Sequence, residues 1–240
     1  MSESLKNVKA MTFDVFGTVV DWRSSIAREA KMMGEQKGFD FDWDNFADKW
    51  RAGYGPSMNK VRTGELPWTK IDVLHRMILD ELLSEYNITN LTESEKDHFN
   101  RAWHRLDPWP DSVPGLTELK KNYVISPLSN GNVALLVNMA KYGGLPWDTV
   151  LSAELAQHYK PDPEAYQSTS EFLGFPIEQI MMVAAHKNDL KSAKGQGMMT
   201  GYIPRPKEHG PNTTVDSNPE DYIDIIGENF VDFANKMQSL

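Results

Sequence analysis

Asp14 lies in the segment Met11-Thr-Phe-Asp-Val-Phe-Gly-Thr18, where an apolar stretch ends in a carboxylate followed by glycine and threonine. An aspartate in this setting can act as a nucleophile and form a covalent intermediate that water then hydrolyses. The simpler alternative is a turn, in which the carboxylate bonds nearby amides and Gly17 supplies a positive φ. The motif alone leaves both interpretations open, so the choice between them depends on other motifs in the chain.

Three further motifs carry polar or charged residues and follow in order along the chain. They are Leu128-Ser-Asn-Gly131, Lys160-Pro-Asp-Pro-Glu-Ala-Tyr166, and Asp189 shortly after Val183-Ala-Ala-His186. Each follows a predicted strand or falls in a loop. Four such motifs together are much harder to explain as independent turns.

Apolar stretches with strand or helix spacing predict the elements that position these motifs. Strands are predicted at residues 8–13, 123–128, 149–151, 180–185 and 199–203. Helical spacing covers most of residues 22–101, and further helices are predicted at 132–142, 163–173, from 190, and at 229–237. Prolines and a glycine in residues 108–115 break the pattern, and the Pro- and Asn-rich segment 204–220 predicts a surface excursion.

This order of elements predicts an α/β fold with a doubly wound, Rossmann-like parallel sheet and an inserted helical cap. The predicted core is residues 1–20 and 101–240, and the predicted cap is residues 21–100. Ligands of such sheets bind beyond the carboxyl ends of the strands. Asp14, Asn130 and Asp189 all fall just after predicted strands, so we expect them to meet at that edge.

Composition and charge limit the classes of partner and the cellular location that we expect. The formal net charge of −9 disfavours nucleic acid and anionic membranes as main partners. The chain has no cysteine, which excludes disulfides, thiolate catalysis and Cys-ligated metals. The N-terminus is too polar for a signal peptide, and no apolar run approaches a membrane-spanning length. We therefore expect a cytoplasmic protein whose main partner is a small molecule.

The four motifs, in this order, resemble those of the haloacid dehalogenase superfamily over essentially the whole chain, and most closely its type II (S)-2-haloacid dehalogenases. The resemblance implies that Asp14 attacks the substrate and becomes an ester. It implies that Thr18 orients the Asp14 carboxylate and that Lys160 keeps Asp14 and Asp189 ionised together. Asp189 would then position or deprotonate the water that cleaves the ester.

The same resemblance assigns the substrate contacts. Ser129 and Asn130 would donate hydrogen bonds to the substrate carboxylate, and Val15 belongs to the same substrate-binding set. Arg51, in Lys49-Trp-Arg-Ala-Gly-Tyr54, matches a cap arginine that holds the departing halide. An ordinary exposed arginine paired with an acid is the alternative for Arg51. Tyr166 matches a tyrosine near the substrate, although a ring packed inside a helix explains it nearly as well.

Phe16 separates two chemistries within the superfamily. Phosphatases of the superfamily carry a second aspartate two residues after the nucleophile, and it protonates the alkoxide leaving group. A halide departs with little or no protonation. The loss of this second aspartate is therefore tolerable for dehalogenation and damaging for phosphoester hydrolysis. Phe16 therefore favours cleavage of a carbon–halogen bond.

The last motif departs from the type II pattern. Two serines and an asparagine of those enzymes are matched here by Ala184, Ala185 and His186. His186 could join the Asp189 network, line the halide pocket, assist the water, or cap the strand. Asn188 replaces an aromatic of the halide pocket, so the pocket is predicted to be more polar, and release of fluoride from fluoroacetate is a hypothesis.

The predicted function is hydrolysis of short 2-haloalkanoic acids to 2-hydroxy acids through an aspartyl ester, with no metal or other cofactor. The substrate and water are the expected partners, and a homodimer is possible. One alternative is a magnesium-dependent phosphatase, in which Asp14, the carbonyl of Phe16 and Asp189 hold the ion. The other is a catalytically inactive relative that binds a ligand on the same fold.

Overall fold

The first strand of the chain lies in the middle of the main sheet. The computed structural model describes residues 3–240. Its strands are β1 Ala10–Phe13, β2 Val20–Asp21, β3 Asp107–Pro108, β4 Val124–Ser129, β5 Leu151–Ser152, β6 Ile180–Ala184, β7 Met199–Tyr202 and β8 Ile225–Ile226. Six of them form a parallel sheet in the order β5-β4-β1-β6-β7-β8, and β2 pairs with β3 separately.

The register of β1 brings the ends of three strands together. Phe13 lies opposite Pro127 of β4 and Val183 of β6. All four residues of β1 are buried, as expected for a central parallel strand covered on both faces. Because parallel strands end at the same edge, Asp14, the residues after β4 and the residues after β6 become neighbours.

The helices are α1 Trp22–Lys37, α2 Trp43–Arg62, α3 Ile71–Glu85, α4 Glu93–Asn100, α5 Ser112–Leu119, α6 Val133–Gly143, α7 Ala153–Ala156, α8 Pro163–Leu173, α9 Lys187–Gly195 and α10 Phe230–Gln238. Single 3-10 turns cover Glu3–Asn7, Arg101–His104 and Ile177–Gln179. The predicted mostly parallel α/β fold is confirmed. Within residues 3–240, no helix combines the length and apolar character needed to cross a membrane.

Helices α1 to α4 lie between β1 and β4 in the chain and pack around aromatic side chains. Phe46, Trp50 and Phe99 form a cluster of buried rings with centroids 5.2–5.9 Å apart, in which Phe46 stacks on Phe99 and Trp50 meets both rings edge-on. The β2–β3 ribbon lies near the junction of this helical segment with the rest of the chain. The division into core and cap at residues 20 and 101 stays a prediction.

Three sequence expectations about local structure were wrong. The proline-rich break contains helix α5, because Pro114 falls in its first turn, where a missing N–H costs nothing. Asp189 lies in the first turn of α9 and not in the loop before it. The segment 204–220 is not wholly a surface excursion, because Arg205 and Glu208 are buried at 7% and 4% exposure.

Candidate active site

The Asp14 carboxylate lies just beyond β1 and accepts three hydrogen bonds. Its backbone N–H continues the sheet by donating to Val183 O at 3.0 Å. Oδ2 accepts from Thr18 Oγ1 at 2.7 Å and pairs with His186 Nδ1 at 2.9 Å. Oδ1 accepts from Lys160 Nζ at 3.1 Å. The predicted nucleophile is therefore held in one orientation by groups from three separate parts of the chain.

Gly17 allows the loop after Asp14 to fold tightly. Its φ of +85° lies in the left-handed region that favours glycine. A Cβ atom at this position would also come within 2.0 Å of Glu208 Oε1. The loop thereby brings Thr18 back under Asp14, and Thr18 Oγ1 accepts from Ala185 N at 2.9 Å. Thr18 thus connects the nucleophile loop to the end of β6.

Lys160 lies between the two predicted catalytic carboxylates. Its Nζ is 3.1 Å from Asp14 Oδ1 and 2.6 Å from Asp189 Oδ2. Asn130 holds the Lys160 backbone by accepting from its N–H at 2.7 Å and donating to its carbonyl at 3.3 Å. Tyr166 donates its hydroxyl to Asp189 Oδ1 at 2.6 Å. Tyr166 is both a buried ring and part of this network.

In this cluster, pairing with opposite charges shifts the pKa values more than burial does. Burial alone would raise the pKa of Asp14, but Lys160 and then His186 hold that pKa well below its ordinary value. Burial would lower the pKa of Lys160, but Asp14 and Asp189 raise it above its ordinary value. Both groups are therefore charged at neutral pH, and the nucleophile needs no base to ionise it.

His186 bridges two carboxylates. Its Nδ1 is 2.9 Å from Asp14 Oδ2, and its Nε2 is 3.0 Å from Glu208 Oε2. Burial alone would lower the pKa of His186, but hydrogen bonds to Asp14 and Glu208 raise it from 6.5 to about 10. His186 is consequently an imidazolium at neutral pH and donates from both ring nitrogens.

Glu208 is a site residue that the sequence analysis missed. It also accepts from Trp22 Nε1 at 3.1 Å. Arg205 anchors the same segment, donating to Thr18 O at 2.8 Å and making two bonds to Asp111 at 2.8 and 2.9 Å. A single glutamate in a polar tail has no distinctive sequence pattern. The unusual His186 was the only signal that a counter-charge was needed.

A cavity of about 440 Å³ lies over Asp14. Of the predicted substrate-binding residues, Arg51, Asn130, Tyr166, His186 and Asn188 line it. Val15 and Ser129 do not line it, and both side chains are buried at 1% exposure. Ser129 Oγ instead accepts from Gly131 N at 3.1 Å, which stabilises the turn after β4.

Arg51 contributes an unpaired positive charge from α2. Its guanidinium lies over the Tyr54 ring at 4.2 Å and near the rings of Trp22 and Phe16 at 5.6 and 5.7 Å. In the part of the chain that the structure describes, no carboxylate forms an ion pair with it, and its buried Nη1 has no hydrogen-bond partner. The alternative of an exposed, paired arginine does not fit this geometry.

A family model described as haloacid dehalogenase-like hydrolase matches residues 8–197. The chain belongs to the haloacid dehalogenase-like hydrolases. Among curated relatives, it is 29% identical over 210 residues to (S)-2-haloacid dehalogenase 4A from Burkholderia cepacia, covering 83% of this chain and 84% of that protein. The superfamily predicted from the motifs is thus confirmed.

Two solved structures of L-2-haloacid dehalogenases are similar to this haloacid dehalogenase-like hydrolase over nearly the whole chain. The crystal structure of a defluorinating L-2-haloacid dehalogenase superposes with a TM-score of 0.95 at 45% identity, covering 99% of this chain and 98% of that one. The structure of another L-2-haloacid dehalogenase gives a TM-score of 0.93 at 39% identity, covering 97% of this chain and all of the other.

The residues of this haloacid dehalogenase-like hydrolase do not fit a magnesium site at Asp14. The Lys160 ammonium lies between Asp14 and Asp189, which are two of the three predicted ligands. Across residues 3–240, no three His, Asp or Glu side chains are grouped so as to hold a metal ion. The Lys160 ammonium already supplies a positive charge to both carboxylates.

Proposed function

We propose that the chain hydrolyses the carbon–halogen bond of short (S)-2-haloalkanoic acids to give 2-hydroxy acids. The supporting observation is a buried, ionised Asp14 that faces the cavity beside Phe16, with no general acid at position 16. A charged carboxylate can displace a halide, which leaves without a proton. The named L-2-haloacid dehalogenases at 45% and 39% identity support the same reaction class.

In the first half-reaction, Asp14 Oδ1 is the attacking oxygen. It accepts one hydrogen bond, from Lys160, whereas Oδ2 accepts from both Thr18 and His186. The less occupied oxygen has more lone-pair density for attack. A C–O bond forms at C2 as the carbon–halogen bond breaks, and the halide leaves with that electron pair. Attack from behind the halogen inverts C2, and Arg51 receives the anion.

Backbone N–H groups take over the role that the sequence analysis gave to Ser129. In the described part of the chain, the N–H groups of Val15 and Phe16 donate to no protein acceptor. They directly follow the nucleophile and can therefore hold the substrate carboxylate beside it. This arrangement gives Val15 a substrate-binding role through its backbone and not through its buried side chain.

In the second half-reaction, Thr18 and His186 act as donors to the ester. Attack through Oδ1 leaves Oδ2 as the ester carbonyl oxygen. Water adds to the Asp14 carbonyl carbon, and negative charge develops on Oδ2, which already faces the Thr18 hydroxyl and the His186 N–H. Preorganised donors of this kind typically contribute about 100- to 1,000-fold in rate. Glu208 keeps His186 protonated and correctly oriented for this task.

Asp189 is the group assigned to the hydrolytic water. Its two oxygens accept from Lys160 and Tyr166, which fixes the carboxylate beside Asp14. An oxygen lone pair that remains free can accept the water proton as the C–O bond to the Asp14 carbonyl forms. As the intermediate collapses, its C–O bond to the substrate breaks and the leaving alkoxide takes the proton held by Asp189, which gives the 2-hydroxy acid. The second proton of the water is released to solvent, and Asp14 is again a carboxylate.

Halide release is the direct test of the proposal. Chloro-, bromo- and fluoroacetate and both 2-chloropropionate enantiomers should be compared, with and without a chelator. We expect halide from the (S) enantiomer with inversion and from fluoroacetate, with no loss on chelation. Phosphatase activity that a chelator abolishes, without halide release, would contradict the proposal.

Isotope labelling tests the covalent step. A single turnover in heavy-oxygen water should label the Asp14 carboxylate, because water attacks its carbonyl carbon. Label appearing only in the product would exclude the aspartyl ester. Metal independence, a cytoplasmic location and a homodimer belong to the same proposal, and light scattering of the purified protein tests the last of these.

A further inference from the structure

Helix α2 lines the cavity with one of its faces. The lining residues of this helix follow helical spacing and are Arg51, Tyr54, Gly55, Met58, Asn59 and Arg62. A rise of about 1.5 Å per residue makes this face about 16 Å long. The cavity volume of about 440 Å³ lies in the range of pockets that hold drug-sized ligands. A haloacetate or a 2-halopropionate therefore fills only the part beside Asp14 and leaves room along α2.

Two glycines of α2 differ in what surrounds them. A Cβ atom on Gly53 would lie 2.7 Å from Ile78 Cγ2, so Gly53 allows α2 to pack closely on α3. A Cβ atom on Gly55 would have no atom within 4 Å, apart from its two neighbours in the chain and the backbone of its own helix. The φ of Gly55 is not positive, and glycine in a helix interior is less stable than alanine. Gly55 thus leaves part of the cavity wall open without helping α2 to pack.

Pro56 gives a second reason for a glycine at position 55. A residue before proline is disfavoured in a helix, because its Cβ atom meets the proline ring. The two roles of Gly55 have different consequences when a side chain is added. Strain before Pro56 would disturb the helix and so affect every substrate alike. A side chain in the cavity would hinder only those substrates that occupy the same space.

We propose that Gly55 sets the length of the chain that a substrate can carry on C2. This inference rests on the proposed dehalogenase function and extends its substrates to 2-haloalkanoic acids with several carbon atoms beyond C2. Asp14 attacks C2 from one side, and Arg51 receives the halide on the other. Gly55 follows Arg51 by one helical turn, about 6 Å along the axis. A chain on C2 can therefore run through the space that the missing side chain leaves.

Apolar groups follow Gly55 along this space. Met58 on α2 and Pro161 on the core side both line the cavity, and Met58 is buried. A methionine side chain adapts to the shape of a ligand, and each methylene group that leaves water against such a wall strengthens binding. Asn59 and Arg62, which are exposed, line the cavity further along α2. The apolar part therefore extends for about one helical turn beyond Gly55 and suits an unbranched alkyl chain.

Gly55→Ala and Gly55→Leu fill this space in two steps. The measured quantity is the ratio of kcat/KM for (S)-2-chlorohexanoate to kcat/KM for (S)-2-chloropropionate. We expect the wild type to use the longer substrate at least as well as the shorter one. Gly55→Leu should lower the ratio by about 10- to 100-fold, because a pocket that is too small by a few methylene groups discriminates to this extent. Gly55→Ala should give a smaller fall.

Two controls separate room in the cavity from strain in the helix. Gly195→Leu is the matched control, because Gly195 ends α9, has open space around a Cβ atom and does not line the cavity. It should preserve the ratio. The double variant Gly55→Leu/Pro56→Ala is compared with Pro56→Ala alone, which removes the proline ring from the comparison. The fall in the ratio should persist in the double variant, which also decides if Gly55→Leu does not fold.

Equal losses on both substrates, or an unchanged ratio in the Gly55 variants, would overturn the inference. A wild type that releases chloride from (S)-2-chloropropionate but not from (S)-2-chlorohexanoate would overturn it too, while leaving the proposed function intact. If no substrate releases halide, the proposed function fails, and binding of sodium hexanoate and sodium propionate decides on the room at Gly55. Hexanoate should then raise the Tm of the wild type more than propionate does, and Gly55→Leu should remove that difference. Equal Tm shifts in the wild type would count against the inference.

Discussion

The two walls of the cavity handle charge in opposite ways. On the core side, Asp14, Lys160, Asp189, His186 and Glu208 form a chain of opposite charges in which each member has a partner. On the cap side, Arg51 lines the cavity and has no acidic partner among the described residues; His75 and Trp103, which lie behind Phe16 and do not line the cavity, have nitrogens without a hydrogen-bond partner. The core side is complete without a ligand, and the cap side is not.

This contrast separates preorganisation from recognition. Buried charges that are paired hold a nucleophile in its reactive state before the substrate arrives, which avoids reorganisation during the reaction. A donor such as Arg51, which has no acidic partner, can hydrogen-bond the halide as its negative charge develops. It accelerates the reaction to the extent that it binds the departing halide more strongly than the intact substrate.

Removing Lys160 should have the largest effect, because it leaves two buried carboxylates without their shared cation. We expect Lys160→Met to lower halide release by more than about 1,000-fold and to destabilise the fold by about 3–5 kcal/mol. Urea unfolding and a halide assay measure the two quantities. Lys141→Met, at an exposed position on α6, is the control and should change stability by less than about 0.5 kcal/mol. A stable, active Lys160→Met would contradict the account of the core side.

Arg51→Met should separate activity from stability. Its loss removes the guanidinium that we propose receives the departing halide, so we expect halide release to fall by about 100-fold or more. Because the guanidinium has no paired acid, the free energy of unfolding should change by no more than about 1 kcal/mol. If Arg51→Met were as unstable as Lys160→Met, the contrast between the two walls would fail.

Glu208→Gln should slow ester hydrolysis more than ester formation. We expect kcat to fall by about 10- to 100-fold and rapid mixing to reveal a burst of halide, because the ester accumulates. Glu171→Gln, exposed on α8, is the control and should show neither change. If the variant instead slowed only the first release of halide, Glu208 would act in ester formation, and the prediction would be wrong.

The pH dependence of stability offers a second test of Glu208. His186 has a raised pKa in the folded protein, about 10 against an ordinary value of 6.5. Its contribution to stability is therefore complete below pH 6.5 and is lost as the pH rises to about 10. In Glu208→Gln the pKa of His186 should fall, so stability should decline less between these pH values. Unfolding curves across this range measure the difference.

Arg62→Gln should have the smallest effect. Arg62, at the end of α2, donates to Asp162 Oδ1 at 2.6 and 2.9 Å and so joins the cap to the loop that carries Lys160. The pair is partly exposed, and such pairs contribute about 0–1 kcal/mol. We expect KM to rise by about 2- to 5-fold. The Asp162→Asn variant should show the same rise in KM. A larger loss of kcat would assign Arg62 to the reaction itself.

Local chemistry was predictable wherever a motif carries it in adjacent residues. Asp14, Thr18 and Phe16 lie within five positions, Asp189 follows a recognisable strand pattern, and Lys160 opens the motif Lys160-Pro-Asp-Pro-Glu-Ala-Tyr166. The ends of parallel strands meet at one edge of a sheet, so the convergence of these groups followed from the order of elements. Ser129 was misplaced because alternation along β4 decides which side chain faces the cavity, and one residue changes that face.

The sequence by itself determined the nucleophile, its cation, the missing general acid and the family to which these residues belong. Only the tertiary structure decided that Glu208 is the partner of His186 and that His75 and Trp103 lie behind Arg51. The contacts of Glu208 with His186 and Trp22 join residues 22 and 186 positions apart, and His75 and Trp103 come from α3 and from the 3-10 turn Arg101–His104. No local pattern specifies such pairs, because packing and the burial of charge select them only after the chain has folded.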